Sequence, residues 1–237
     1  MNESRPIIVT HLWWLPDGAS VEEYDERYFK YHVPLVRCLP GIRRHVLLRI
    51  HDRIRNEYLF GAQPPWWRGE DYWFDSQTDL MEAYNSPEWH DIRNGYFASV
   101  AGLQIDVAEV EEEYLSPEAK GAGRLAAGCD PISVRGTWHT PAGKHPEALD
   151  QYYYNVHLTT VRRLPGALRH VVFKTIEWPT GTPKRSWRGA QVWHESMAEY
   201  EHVMNSSERR ESIGDGFISM IAGLQLDEFV VEEEYIT

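Results

Sequence analysis

The chain repeats itself once, almost end to end. A run from Tyr28 through His32 to Leu39-Pro40-Gly41 and Arg44-His45-Val46 recurs 125 residues later, from Tyr153 through His157 to Val171. Three further blocks return 120 or 121 residues later: Trp67-Arg68-Gly69, Gly102-Leu103-Gln104 and the run Glu111 to Tyr114. A period longer than about 100 residues indicates a duplicated domain, because solenoid repeats are far shorter. The chain must therefore fold as two copies of one unit.

The two copies are separated by a segment of different composition. Residues 116–130 are rich in Gly and Ala and are bordered by Pro117 and Pro131, which is typical of a linker. We therefore expect a first repeat at residues 1–115, a linker at 116–130 and a second repeat at 131–237.

Each copy predicts the same order of elements. In the first, Ile7 to Trp14 is predicted as a strand, and Ser20-x-x-Glu23 is a capping box that opens a helix. Leu39-Pro40-Gly41 ends that helix. The remaining predicted elements are strands at Ile42 to Ile50 and Glu70 to Phe74, helical segments around Leu80 to Tyr84 and Glu88 to Val100, and a strand at Leu103 to Tyr114. This order is βαββαβ, the ferredoxin-like unit.

The unit predicts how the copies meet. Both helices of a βαββαβ unit cover one face of its sheet, so the other apolar face needs a partner. Two such faces packed together form an eight-stranded barrel with a pseudo-two-fold axis, a size that side chains fill or that holds one small ligand. The predicted fold class is thus α+β, with two ferredoxin-like βαββαβ repeats forming one barrel.

Net charge and composition limit the classes of molecule that this chain is expected to bind. With 24 Lys and Arg against 36 Asp and Glu, the net charge of −12 argues against nucleic acid. No apolar run approaches the roughly 20 residues of a membrane span, and no signal peptide is evident, so we expect a cytoplasmic protein without membrane contact. Cys38 and Cys129 are expected to be reduced thiols. The 10 Trp, 13 Tyr, 7 Phe and 11 His favour recognition of a small hydrophobic or aromatic molecule.

The run Tyr-x3-His-x-Pro-Leu, followed by Leu-Pro-Gly and a strand, resembles the EthD-like branch of the dimeric α+β barrel superfamily. In this chain it stands at Tyr28 to Val46. The resemblance implies a ferredoxin-like barrel, a small hydrophobic or aromatic substrate and chemistry without a cofactor, such as dehydration or isomerisation. It also implies that the helix histidines His32 and His157 are catalytic. Fusion of the copies takes the place of a homodimer, and further homodimerisation is left open.

The histidines have a chemistry of their own. His32 follows Tyr28 by four residues and so shares the helix face that packs on the sheet, as His157 does with Tyr153. A neutral imidazole there can act as a general base or acid, and a core histidine bonded to a carbonyl is the alternative. His45 and its counterpart His170 could converge on the same pocket. Their facing stays open, because a one-residue slip of the strand exchanges its two faces.

Aromatic and further histidine side chains are the candidate pocket walls. The predicted substrate-binding residues are Tyr28, Trp13, Trp73, Tyr153, Trp138, Trp193, His139 and His194. Each tryptophan could instead belong to the sheet core.

The sequence gives little support for a metal site, a catalytic cysteine or a dinucleotide-binding loop. Asp25 and Asp150 precede the helix histidines by seven residues, about 10 Å along a helix, so they cannot share a metal with them. The cysteines do not recur between copies, and Gly121-Ala122-Gly123 lies in the predicted linker. We therefore predict neither a metal nor another cofactor.

Three functions remain. The first is a cofactor-independent lyase or isomerase that uses a helix histidine as its acid and base. The second is a binding protein that sequesters a hydrophobic metabolite. The third is an oxygenase, either cofactor-free or haem-dependent.

The copies differ after the helix histidine. Only the first has Pro34 and Leu35, and a proline inside a helix costs about 3 kcal/mol and removes a backbone hydrogen bond. We expect this kink to make two non-equivalent cavities. The His32 cavity is expected to be the principal one, and His139 and His194 should make the second more polar.

Overall fold

The computed structural model describes residues 4–50, 66–116, 130–177 and 184–237. Cys129 and most of the predicted linker, residues 117–129, lie outside these ranges, so the predicted boundaries remain an expectation. Cys38, on the described part of the chain, is an exposed free thiol.

The first copy has the predicted order of elements. Its strands are β1 (Ile7–Trp14), β2 (Ile42–Ile50), β3 (Arg68–Phe74) and β4 (Gly102–Leu115). Its helices are α1 (Val21–Arg27), a π-helical turn (Tyr28–His32), α2 (Val33–Val36), α3 (Gln77–Tyr84), α4 (Pro87–Asn94) and a 3₁₀ turn (Phe97–Ser99).

The second copy repeats this order. Its strands are β5 (Ile132–His139), β6 (Ala167–Thr175), β7 (Arg188–His194) and β8 (Ala222–Ile236). Its helices are α5 (Pro146–Tyr152), a π-helical turn (Tyr153–His157), α6 (Leu158–Val161), α7 (Met197–Met204), α8 (Ser207–Gly214) and α9 (Phe217–Met220).

Local sequence signals explain where the first helix begins and ends. Ser20 caps α1 by accepting a hydrogen bond from the Glu23 backbone N–H, as the capping box predicts. After α2, Gly41 turns the chain toward β2 with a φ of +71°, a conformation that favours glycine.

The eight strands close into one antiparallel barrel. The strand order is β1-β3-β2-β8-β5-β7-β6-β4, and the copies meet where β2 pairs with β8 and β4 pairs with β6. The predicted α+β barrel is confirmed. Among the described residues, no helix is both long and apolar enough to cross a membrane.

The two faces of the barrel wall have different partners. Inside the barrel, Leu12 and Leu48 of the first copy pack with Trp193 and Phe229 of the second, so each sheet covers the other. Outside it, the helices of each copy pack on their own sheet and form a separate core. The helix histidines His32 and His157 therefore lie outside the barrel, between the helices and the sheet of their own copy.

Ion pairs related by the pseudo-two-fold axis join the copies. Arg68 contacts Asp25 of its own copy and Glu232 of the other, and Arg188 likewise contacts Asp150 and Glu111. The acidic runs at the ends of β4 and β8 therefore belong to the seam between the copies.

Candidate active site

Both helix histidines end a π-helical turn. The Val33 N–H bonds to the Tyr28 carbonyl in the first copy, and the Leu158 N–H bonds to the Tyr153 carbonyl in the second. The second copy forms the same turn without a proline, so the kink expected from Pro34 does not distinguish the two helices. Single π turns occur frequently at functional sites.

In the first copy the helix histidine is locked to a buried glutamate. His32 Nε2 lies 3.1 Å from Glu70 Oε2, His45 Nε2 lies 3.5 Å from Glu70 Oε1, and the Tyr72 hydroxyl also donates to Glu70. Burial alone would raise the pKa of Glu70, but His32 and His45 hold it well below its usual range. This contact settles the facing of His45, which lies on the helix side with His32.

Bulky side chains fill the space around this glutamate. His11 lies opposite Glu70 on the neighbouring strand, and its Nε2 is 2.8 Å from the Tyr84 hydroxyl. The rings of Trp89 and Phe97 pack on His11 at centroid distances of 5.8 and 5.3 Å. The first copy therefore has a packed polar and aromatic cluster where a pocket was expected.

The second copy has small residues at the same places. Where His11 faces Glu70 across β1 and β3, Gly136 faces Ala190 across β5 and β7. Val192, Met204 and Gly216 likewise stand where the first copy has Tyr72, Tyr84 and Tyr96. The volume released is a cavity of about 130 Å³.

The cavity wall is mainly apolar. Trp138, Tyr153 and Phe217 supply its aromatic part, and Leu224 and Leu226 belong to its aliphatic part. An apolar cavity of roughly 150 Å³ is known to hold one benzene ring, so this one suits a single aromatic ring or a group of that size.

His157 lies on this wall and is held by Asp215. The His157 Nδ1 atom is 2.8 Å from Asp215 Oδ2, which also accepts a hydrogen bond of 3.1 Å from Thr160 Oγ1. Asp215 Oδ1 accepts the Phe217 backbone N–H at 2.8 Å, across a turn in which Gly216 has a φ of +92°. The carboxylate is thus anchored on three sides.

This contact sets the state of the imidazole. Burial lowers the pKa of His157 below its ordinary 6.5, and the bond to Asp215 opposes that shift in part. The ring is therefore neutral at pH 7. Because a carboxylate only accepts, Nδ1 carries the proton and Nε2 has the free lone pair. Among the described residues, none forms a hydrogen bond with Nε2.

Five further polar residues of the described ranges line the cavity: His170, His194, Arg209, and the pair in which the Tyr200 hydroxyl donates to Glu228 Oε1 at 2.5 Å. Burial lowers the pKa of His170 to about 3 and that of His194 to about 4, so both rings are neutral. Arg209 also belongs to the wall, and its positive charge acts on both His157 and His194.

The structure thus separates the predicted site residues into three groups. Those that line the cavity are His157, His170, Tyr153, Trp138 and His194. Those in the packed cluster of the first copy are His32, Tyr28 and Trp13, and His45 lies 3.5 Å from Glu70 at its edge. Around the described residues this apolar cavity lies beside His157, whereas the sequence-based expectation placed the principal one beside His32.

Three predicted pocket residues lie elsewhere. Trp73 and Trp193 point into the barrel interior, on the opposite side of the sheet from the helix histidines. Trp73 lies three residues after Glu70 on β3, and Trp193 lies three residues after Ala190 on β7. An odd separation along a strand places two side chains on opposite faces of the sheet. His139 is exposed at the end of β5, where its ring lies over Gly223.

Sequence reasoning missed Glu70, Asp215 and Arg209. A signal did exist, because aligning the copies shows Glu70 replaced by Ala190, Trp89 by Arg209 and Gly95 by Asp215. Each replacement changes charge at a position that the helix histidine can reach.

The site suits neither a metal nor a haem. Over the described ranges, no group of three or more His, Cys, Asp or Glu side chains is arranged to hold a metal ion. Pockets for drug-sized ligands occupy about 300–1,000 Å³, and a haem is larger than most such ligands. A cavity of about 130 Å³ does not fit it.

Residues 16–95 match the EthD domain model. Comparison with curated protein sequences gives no significant match. Among solved structures, an anthrone oxidase-like protein is similar with a TM-score of 0.67 and 14% identity, over 99% of this chain and 94% of its own.

Two further structures of similar extent share the fold. A candidate monooxygenase from Fusobacterium nucleatum has a TM-score of 0.67 and 11% identity, over 100% of this chain and 96% of its own. A candidate chlorite dismutase has a TM-score of 0.55 and 11% identity, over 97% of this chain and 96% of its own. These are dimeric α+β barrel proteins, the fold predicted here.

Proposed function

We propose that this chain, which carries an EthD domain at residues 16–95, is a cofactor-independent enzyme of the oxygenase type acting on a small aromatic or otherwise hydrophobic substrate. The observation that carries the proposal is the His157–Asp215 pair on the wall of an apolar cavity. A neutral imidazole in this tautomer is a general base, and such groups contribute about 10²–10⁴ in rate.

The first step is proton transfer to His157. An aromatic substrate in the cavity gives an acidic C–H or O–H proton to Nε2, while Asp215 stabilises the imidazolium that forms. Arg209 supplies positive charge on the same wall, which stabilises the substrate anion. Both charges that develop are thus balanced by groups already in place.

The second step is oxidation of the anion by O₂. A carbanion at a ring CH₂ transfers electrons to O₂ and, on taking back the proton, becomes a hydroperoxide. Loss of water then leaves a carbonyl, so that CH₂ and O₂ become C=O and H₂O. The oxidase and monooxygenase names of two structures with this fold favour O₂ as the co-substrate.

The same proton transfer also serves a lyase or isomerase, which makes that class the second candidate. There the anion expels a leaving group or takes the proton back at another carbon, and no O₂ is consumed. His157, Asp215 and the cavity have the same roles in both reactions.

Oxygen uptake tests the proposal. We expect the wild-type protein to consume O₂ with hydroxylated aromatic compounds of one ring, such as resorcinol, H157A to lose this activity, and H139A to keep it. The exposed His139 is the matched control, from the same copy. Turnover without O₂ consumption would establish the lyase or isomerase instead. Binding of the aromatic compounds without turnover in either assay would establish a carrier.

A further inference from the structure

The cavity wall holds two histidines that the proton transfer does not use. His170 of β6 and His194 of β7 are 4% and 3% exposed, and both line the cavity. Neither ring forms a hydrogen bond with any residue of the described ranges. Nε2 of His170 and Nδ1 of His194 are fully buried without a partner, so the nitrogen of each ring that a molecule can reach is the other one, Nδ1 of His170 and Nε2 of His194.

Buried polar groups in native proteins are almost always hydrogen-bonded, and leaving one unpaired is costly. The first copy has different surroundings at these two places. His45, the counterpart of His170, lies 3.5 Å from Glu70 Oε1 in a packed cluster, and the position of His194 is occupied by Phe74. The second copy has Ala190 in place of Glu70 and has gained His194.

The charge state of the two rings limits what can pair with them. Both are neutral, because burial holds their pKa values at about 3 and about 4. A neutral imidazole offers one N–H donor and one acceptor lone pair. A hydroxyl group matches either, since it both donates and accepts, whereas a carbonyl oxygen matches only the N–H donor.

We propose that His170 and His194 select the substrate by binding two hydroxyl or carbonyl oxygens carried on one aromatic ring. The substrate class is thus a dioxygenated aromatic compound, such as a resorcinol-type ring or its keto form. This inference rests on the proposed site. It assigns the two histidines to specificity and leaves His157 as the base.

Equilibrium binding separates the two roles. The probes are resorcinol, phenol and toluene, titrated into the full-length protein by calorimetry, with Trp138 in the wall as a fluorescence reporter. One net hydrogen bond is worth about 1 kcal/mol, or roughly fivefold in affinity. We expect wild-type affinity to rise about fivefold from toluene to phenol and again from phenol to resorcinol.

The variants H170F and H194F keep a ring of similar size and remove its polar atoms. Each is expected to abolish one of the two increments and to leave toluene binding unchanged or tighter, while H139F changes nothing. H157A is expected to keep both increments, whatever its overall affinity, because it leaves His170 and His194 in place. Unaltered preference for resorcinol in both variants, or no preference in the wild type, would overturn the assignment. Loss of the preference in H170F or H194F supports it even if H157A retains turnover, so the two proposals fail separately.

If either phenylalanine variant does not fold, H170N and H194N provide the test. Asparagine keeps a donor and an acceptor, so we expect these variants to bind resorcinol more tightly than toluene. Equal affinity for the two probes in both asparagine variants would count against the proposal.

Discussion

His157 Nδ1 lies 2.8 Å from Asp215 Oδ2, and this bond reverses the orientation of the corresponding histidine in the first copy. There, His32 presents Nε2 to Glu70 at 3.1 Å. The two carboxylates come from different elements, Glu70 from strand β3 and Asp215 from the turn after helix α8. The duplicated histidine is thus buried in a closed network in one copy and presented to a cavity in the other.

Because His157 lies beside the cavity and His32 does not, we predict that replacing His157 reduces turnover and that replacing His32 does not. H157A should lower kcat by about 10²–10⁴, the usual contribution of a general base. H32A should retain kcat and lower the free energy of unfolding by about 3–5 kcal/mol, because it leaves Glu70 buried without one partner. Steady-state kinetics and urea unfolding on the two variants check this, with H32Q as the milder replacement. Equal loss of kcat in both would contradict the assignment.

The bond to Asp215 predicts a pH profile. Only the neutral ring accepts a proton, so kcat/KM should rise with pH through the pKa of His157 and level above it. Burial places that pKa below 6.5. Since Asp215 raises it, D215N should move the rising limb to lower pH and reduce the plateau. Activity that is flat from pH 4 to 8 in the wild type would indicate a different base.

The cavity itself can be closed by copying the first repeat. V192Y and M204Y introduce the tyrosines that stand at the equivalent positions as Tyr72 and Tyr84. The double variant should lose binding of aromatic probes and turnover together while remaining folded. Calorimetric binding and a thermal melt measure both. Full binding by a folded double variant would show that the ligand site is elsewhere.

Much of this architecture follows from the sequence. The bounds of β1 and β2 agree with their predicted ranges, because both are short runs rich in Ile, Val and Leu that are bordered by turn residues such as Pro16 and Gly41. The barrel follows from the duplication and from the open sheet face of each copy.

The site was harder to predict than the fold. The side of the sheet that Trp73 and Trp193 face depends on strand register, which sequence alone does not fix. Asp215 lies 58 residues from His157 in the sequence. Only the packing of α8 against α6, which follows His157, brings the two side chains together. The preference for His32 rested on Pro34, whereas the cavity depends on small residues spread over several elements.

Buried histidines also predict how stability depends on pH. His11 and His170, with pKa values of about 3, and His194, at about 4, stay neutral in the folded protein at pH 5. In the unfolded chain they are protonated below about 6.5, so unfolding takes up protons and stability falls as pH is lowered.

A buried aspartate acts in the opposite direction. Asp227 has a pKa of about 6 when folded and releases a proton on unfolding at pH 5. For these four groups the net uptake is about two protons, which corresponds to about 2–3 kcal/mol of unfolding free energy lost per pH unit near pH 5. Urea unfolding at pH 7, 6 and 5 measures it, and a constant free energy over this range would contradict these burial assignments.

The barrel interior predicts that neither repeat is stable alone. Leu12 and Leu48 pack on Trp193 and Phe229 of the other copy, so residues 1–115 expressed separately would expose this apolar face. We expect that fragment to dimerise or aggregate in light scattering after gel filtration. A well-folded monomer would show that each sheet face can be covered within its own copy.

The most direct test of the central claim is the ¹⁵N spectrum of the histidine rings, recorded at pH 7 with and without resorcinol. The account predicts a neutral His157 protonated at Nδ1, and resorcinol-induced shifts at His157, His170 and His194 with none at His32 or His45. Resorcinol-induced shifts confined to His32 and His45, or a His157 protonated at Nε2 alone, would contradict it.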